Sequence, residues 1–384
     1  MKKLSSSFIL TAILSFLSIG SSFSQNVSTV YLEGKKIISM TEDNDRNLWV
    51  GTSDGLYRSN NDNFTIVPTP TGMNYITTVF YDNNNNIWIG AYNNGVAKYD
   101  GKNWTPYTQK EGLFNTYVFS SKFFADTKGN IWFGTGLGAL MFDSQKWTNF
   151  AIPGIGFFME KRKKTGIQTS FLEDDHGNVY IAGKYFGCYD GENLKVYKKE
   201  NGLTKNRIYS MAKDKDNNIW LGHYAGKISK FNGADFEKIK LGGNYYNWNA
   251  ATAGMYIGII PGFILGAVLP DPNEGCYILN DSKNNIWAAC TGSGGSVFKL
   301  QDNKWIKFKK RDGLSKHTQI NIILEDKSNK IWVSALKRDV SSYDGSKWTS
   351  YKKKLSGIVR NLYVDSQNNV WVATTEGLVK IENK

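Results

Sequence analysis

Histidine and cysteine are nearly missing from this chain, whose 384 residues carry only three of each. His176, His223 and His317 lie in separate stretches without metal-ligand spacing, and no Cys-x-x-Cys occurs, so no metal site is expected. A nucleophile elbow and a phosphate-binding loop are also lacking. Asp43-Asn44-Asp45 and Asp214-Lys215-Asp216 imitate the start of a calcium loop, but no distal Glu completes either one. The excess of 47 basic over 34 acidic residues comes without any nucleic-acid-binding motif. The expectation is a protein with no cofactor, no metal and no nucleic-acid partner.

What the chain does have is repetition. A phrase of seven residues, Asp followed six positions later by an aromatic, occurs eight times. The Asp are Asp43, Asp82, Asp126, Asp174, Asp214, Asp281, Asp326 and Asp365. The aromatics are Trp49, Trp88, Trp132, Tyr180, Trp220, Trp287, Trp332 and Trp371, spaced 39, 44, 48, 40, 67, 45 and 39 residues apart. A period near 40–45 residues built of short strands predicts an all-β chain folded as a single β-propeller, one blade per repeat.

Each phrase reads as a hairpin corner. The residue before its fifth position, which is Asn in every repeat but the seventh (Lys330), is Asn85, Gly129, Gly177, Asn217, Asn284, Asn329 or Asn368, with Arg46 the exception. Asn and Gly tolerate the left-handed backbone that ends a three-residue hairpin loop, and the Asp caps such a turn. A second turn follows at Thr52-Ser53-Asp54-Gly55 or Thr374-Thr375-Glu376-Gly377, and a fourth strand starts at Trp104, Trp147, Trp305 or Trp348. Four strands per repeat, apolar on both faces, suit sheets packed between neighbours, with the aromatics between blades. The last repeat ends at Val379-Lys380-Ile381 without a fourth strand, so the stretch Val27 to Leu32 is expected to supply it and close the ring. Eight four-stranded blades are expected, with seven as the alternative count.

The run Asn47-Leu48-Trp49-Val50-Gly51-Thr52-Ser53-Asp54-Gly55-Leu56 resembles the two-component regulator propeller repeat, and the resemblance covers nearly all of the chain after residue 36. Such repeats build extracytoplasmic sensors of hybrid histidine kinases that respond to glycan fragments. The 384 residues hold one propeller and no kinase, so the resemblance implies a recognition module alone.

Residues 1–24 read as a signal peptide, with Lys2 and Lys3 before the apolar stretch Phe8 to Ile19 and a cut at Gln25. Residues 25–384 would form the propeller, in the periplasm or secreted. Hairpin pairing sets Cys276 opposite Cys290; two small buried thiols are the plain expectation and a disulfide the alternative in an exported protein, with Cys188 unpaired. An insertion at 242–275 carries Tyr245, Tyr246, Trp248 and the apolar stretch Ala250 to Leu269, whose Pro261 and four Gly argue against a membrane span. Basic runs at 161–164, 198–199, 309–311 and 352–354 suit a polyanion or protect edge strands.

Loops joining second to third strands share a face with the connections between blades, and function is expected there. Aromatic, basic and amide groups suited to sugars point to Tyr92, Lys184, Tyr185, His223, Tyr224, Trp248, Lys337 and Arg338 as ligand-binding candidates, with Phe186 nearby. The expected function is non-catalytic recognition of an oligosaccharide or another envelope component. A scaffold docking through 250–269 is the first alternative. A polysaccharide lyase or hydrolase, with His223 and Tyr224 as its base, is the second.

Overall fold

The computed structural model describes residues 29–113, 118, 123–135, 138–150, 169–205, 207–224, 226–241, 275–291, 296–308, 312–314, 320–335, 339–352 and 355–382. The expected signal peptide, most of the insertion, the 161–164 and 309–311 runs and residues 353–354 lie outside them, as do Trp248, Lys337 and Arg338. The described residues form eight four-stranded antiparallel sheets. Blade one, in chain order, is Ile37–Glu42, Leu48–Thr52, Leu56–Asn60 and Asn63–Val67. First strands of successive blades pack on one another, as Ile37–Glu42 does on Ile76–Tyr81, so they line the axis and the fourth strands form the rim.

Blade eight joins both ends of the chain. Its strands Val359–Val364, Val370–Thr374 and Leu378–Ile381 are completed by Val30–Tyr31, with Val30 opposite Val379. The Tyr31 ring lies 5.4 Å from Trp371 and 5.6 Å from Phe64 of blade one. Its hydroxyl donates to Asp62 at 3.3 Å, and Lys380 donates to the same carboxylate at 2.8 Å. The last blade is thereby fastened to the first.

The eight corners obey one rule. Arg46, Asn85, Gly129, Gly177, Asn217, Asn284, Asn329 and Asn368 all have positive φ, including the arginine at 64°. In blade two, one Asp82 carboxylate oxygen accepts from the backbone N–H of Asn84 and Asn86 at 2.9 and 2.8 Å. The other accepts from the Asn86 amide at 2.9 Å and the Trp88 indole at 2.7 Å. In blade four the Tyr180 hydroxyl replaces the indole, 3.0 Å from Asp174. The spacing of six therefore carries an Asp–aromatic hydrogen bond as well as a packed ring.

Between blades the rings interleave. Trp88 of blade two lies 5.7 Å from Phe142 and 6.3 Å from Trp147 of blade three. Trp88, Trp132, Trp287 and Trp332 are fully buried. Two residues after each aromatic only a small side chain fits. A Cβ at Gly222 would sit 2.1 Å from the Cys276 carbonyl oxygen of the next blade.

Cys276 and Cys290 are opposite each other in register and joined by a disulfide, with Cα atoms 4.0 Å apart. The expectation of two free thiols is corrected: directly opposite positions on adjacent strands bring the two side chains side by side, where the sulfurs are bonded. Cys188 stays unpaired, and burial pushes its thiol up to about 11.

Candidate functional site

The two faces of the ring differ chemically. On the corner face, polar side chains satisfy their neighbours. Glu42 accepts from the Ser366 backbone N–H at 2.6 Å and its hydroxyl at 2.9 Å. Glu173 with Thr127 and Glu325 with Ser282 repeat this clasp. Asn44 donates to Asn85 at 2.7 Å, and the Lys327 N–H donates to Asn368 at 2.8 Å. This belt joins blade to blade and leaves few groups for a ligand.

In blades one, two, five and eight the opposite face is built from two positions per blade. One precedes the first strand, seven residues before the corner Asp, and the other follows the second strand, four residues after the aromatic. Backbone bonds join them: Ser53 N–H to the Lys36 carbonyl, Tyr92 to Tyr75, Tyr224 to Arg207 and Thr375 to Ile358, at 3.0–3.2 Å. Their side chains stand around the mouth of the axis and differ from blade to blade, Lys36, Tyr75, Arg207 and Ile358 at the first position.

In blades one and two, Tyr75 and Tyr92 are 38% and 41% exposed with ring centroids 5.8 Å apart. The Lys36 ammonium donates to the Tyr75 hydroxyl at 3.3 Å. Asn93 and Asn94 lead from Tyr92 into a groove of about 800 Å³ walled by Pro68, Pro70, Trp104 and Pro106. In blades four and five, the Lys184 and Lys198 ammonium groups lie 5.4 and 5.8 Å from the Tyr185 ring, and the Arg207 guanidinium lies 5.9 Å from that of Tyr224.

Of the residues expected from sequence, Tyr92, Lys184, Tyr185 and Tyr224 reach this face, in two groups. His223 and Phe186 are fully buried. His223 ends its strand pointing into blade five, with Nε2 2.6 Å from the Ser229 hydroxyl. Desolvation holds its pKa down at about 4, against the Lys205 backbone and with help from Lys227, so the ring is neutral. Sequence reasoning passed over Tyr75, Arg207 and Lys36. Counting seven residues back from each corner Asp would have found all three.

The two-component regulator propeller family matches residues 31–54, 72–93, 202–225 and 354–376, which are the corners and mouth positions of blades one, two, five and eight. This chain carries two-component regulator propeller repeats. Among solved structures, this chain is similar to the extracellular domain assigned to a hybrid two-component system of B. thetaiotaomicron. That match has 17% identity and a TM-score of 0.51, covering 90% of this chain and 52% of that one. The chain thus spans about half the length of that relative. It is also similar to virginiamycin B lyase from Staphylococcus aureus, solved as an inactive variant with quinupristin, at 11% identity and TM-score 0.51, over 92% of this chain and 97% of that one. A third likeness is the Dos1 propeller, at 10% identity and TM-score 0.58, over 91% and 92% of the two chains. At these identities the likeness is one of fold. Comparison with curated proteins gives no match for this chain.

Proposed function

We propose that this chain is an exported, non-catalytic propeller that binds an oligosaccharide on the face opposite its corners. The observation that carries the reading is the exposed pair Tyr75–Tyr92, whose Tyr92 directly precedes Asn93 of the groove walled by Pro68 and Trp104. Aromatic rings cover the apolar face of a sugar ring, while amides and an ammonium take its hydroxyls. The two tyrosines are already held by each other and by Lys36, so little side-chain freedom is lost on binding. Export is supported by the apolar stretch within residues 1–24 and by the extracellular setting of the B. thetaiotaomicron relative. A lyase role for His223 is disfavoured, because a fully buried ring cannot reach a polysaccharide.

The test is thermal unfolding of the chain against a panel of neutral and acidic oligosaccharides at low and high salt. A ligand at a hundred times its dissociation constant adds about 2.7 kcal/mol to the native state. The expected result is a salt-resistant shift with one sugar, lost in the Tyr75→Ala/Tyr92→Ala double variant. No shift with any sugar would sink the reading and leave docking through residues 250–269 as the function to test.

A further inference from the structure

Blades four and five hold a feature that the tyrosine pair does not explain. Arg207 has a φ of 70°, whereas its equivalents Lys36, Tyr75 and Ile358 do not have positive φ. A long side chain keeps a left-handed backbone only where its surroundings impose it, and such residues cluster at binding sites. Here the imposing contacts are visible. The Arg207 N–H donates to the Lys184 carbonyl of blade four at 3.0 Å, and the next N–H, that of Ile208, donates to the Gly183 carbonyl at 2.7 Å. The Arg207 carbonyl accepts from the Tyr224 N–H at 3.0 Å.

The backbone of Arg207 is therefore clamped between two blades while the residue itself stays exposed, its guanidinium beside the Tyr224 ring. No carboxylate among the described residues pairs with it. The connection that ends at Arg207 carries Lys198, Lys199 and Lys205 against Glu200 alone. Lys184 and Lys198 converge on Tyr185 next to it.

We infer that Arg207 reads an anionic group, and that the oligosaccharide bound on this face is acidic, bearing a carboxylate or a sulfate. The inference rests on the oligosaccharide reading above. A guanidinium presents two parallel N–H donors to either group, and a fixed backbone with a ring behind the fork removes much of the ordering cost. A basic rim that served only to keep outer strands apart would have no use for one arginine held in a strained conformation at the mouth.

The experiment is calorimetric titration of the full chain with trigalacturonate, a sulfated heparin tetrasaccharide and a neutral oligosaccharide of matching length, at low and high salt. Arg207→Gly relieves the left-handed backbone while removing the fork, so its melting temperature should hold or rise. Arg207→Lys keeps the charge without the fork and serves if the glycine variant fails to fold. The expected result is a preference of about tenfold for one acidic sugar over the neutral one that survives high salt and disappears in both variants. The acidic probe that wins assigns carboxylate or sulfate. Equal binding of acidic and neutral sugars, or a preference that survives Arg207→Gly, overturns the inference and leaves the oligosaccharide reading standing. If no sugar binds, both fall together.

Discussion

The indole N–H of Trp332 donates to the buried carboxylate of Asp326 at 2.6 Å. The same carboxylate takes the N–H groups of Ser328 and Lys330 at 2.8 and 3.0 Å, so one side chain holds both the turn and the strand that follows it. Asp326→Ala would strand an indole donor and loosen the turn. An unsatisfied buried donor costs about 1–3 kcal/mol, so a loss of roughly 3 kcal/mol is expected from urea unfolding. Trp332→Phe should cost about as much by a different route, because a large buried ring is replaced by a smaller one.

Stability should also depend on pH through His223. Its folded pKa of about 4 lies below the ordinary value of 6.5, so the unfolded chain binds the extra proton first. The associated stability is fully present above pH 6.5 and is lost progressively as pH falls toward about 4, a loss of roughly 3 kcal/mol in all. His223→Gln should flatten the dependence of the urea midpoint across that window. The depressed carboxyls of Asp174 and Asp214 act in a separate window, with stability present above 3.8 and lost as pH falls through their lower folded pKa values.

The disulfide gives a third test. It closes a loop of sequence separation 14 beside the return of the insertion. Replacing both cysteines by Ala should lower stability by about 3 kcal/mol in the chain-entropy account, read as a lower urea midpoint. A reducing agent should reproduce the loss in the native protein and leave the double variant unchanged.

Ring closure supplies a fourth. Tyr31→Ala removes contacts to Trp371 and Phe64 and the bond to Asp62. A destabilisation of about 3 kcal/mol is expected, with hydrogen exchange rising first in the strand Leu378–Ile381 that Val30–Tyr31 covers.

The blades were legible because each repeats a local rule. Positive φ at residues such as Asn85 and Asn329, the aromatic six residues after the Asp, and the Cys276–Cys290 register all follow from hairpin pairing. The bond from Asp to indole was missed because a spacing of six does not by itself say that two side chains turn toward each other across a corner. The site was legible only in part. Tyr92 and Tyr224 follow a visible strand, whereas Tyr75 and Arg207 end connections of unequal length and are marked only by their count of seven back from the next corner Asp. His223 was misplaced on the surface because alternation at a strand end does not reveal which side the next blade covers.

The corner carboxylates have a consequence for the surface this protein presents. They take eight of the 34 acidic residues and aim them at indoles, amides and turn N–H groups, which leaves at most 26 carboxylates facing solvent against 47 basic residues. The eight still count in the net charge of +13 seen from afar. Within the Debye length of about 8 Å at physiological salt their charge still acts, but their oxygens already hold hydrogen bonds and offer a solute few free acceptors. The surface therefore offers a solute fewer free carboxylate acceptors for each basic donor than its composition implies.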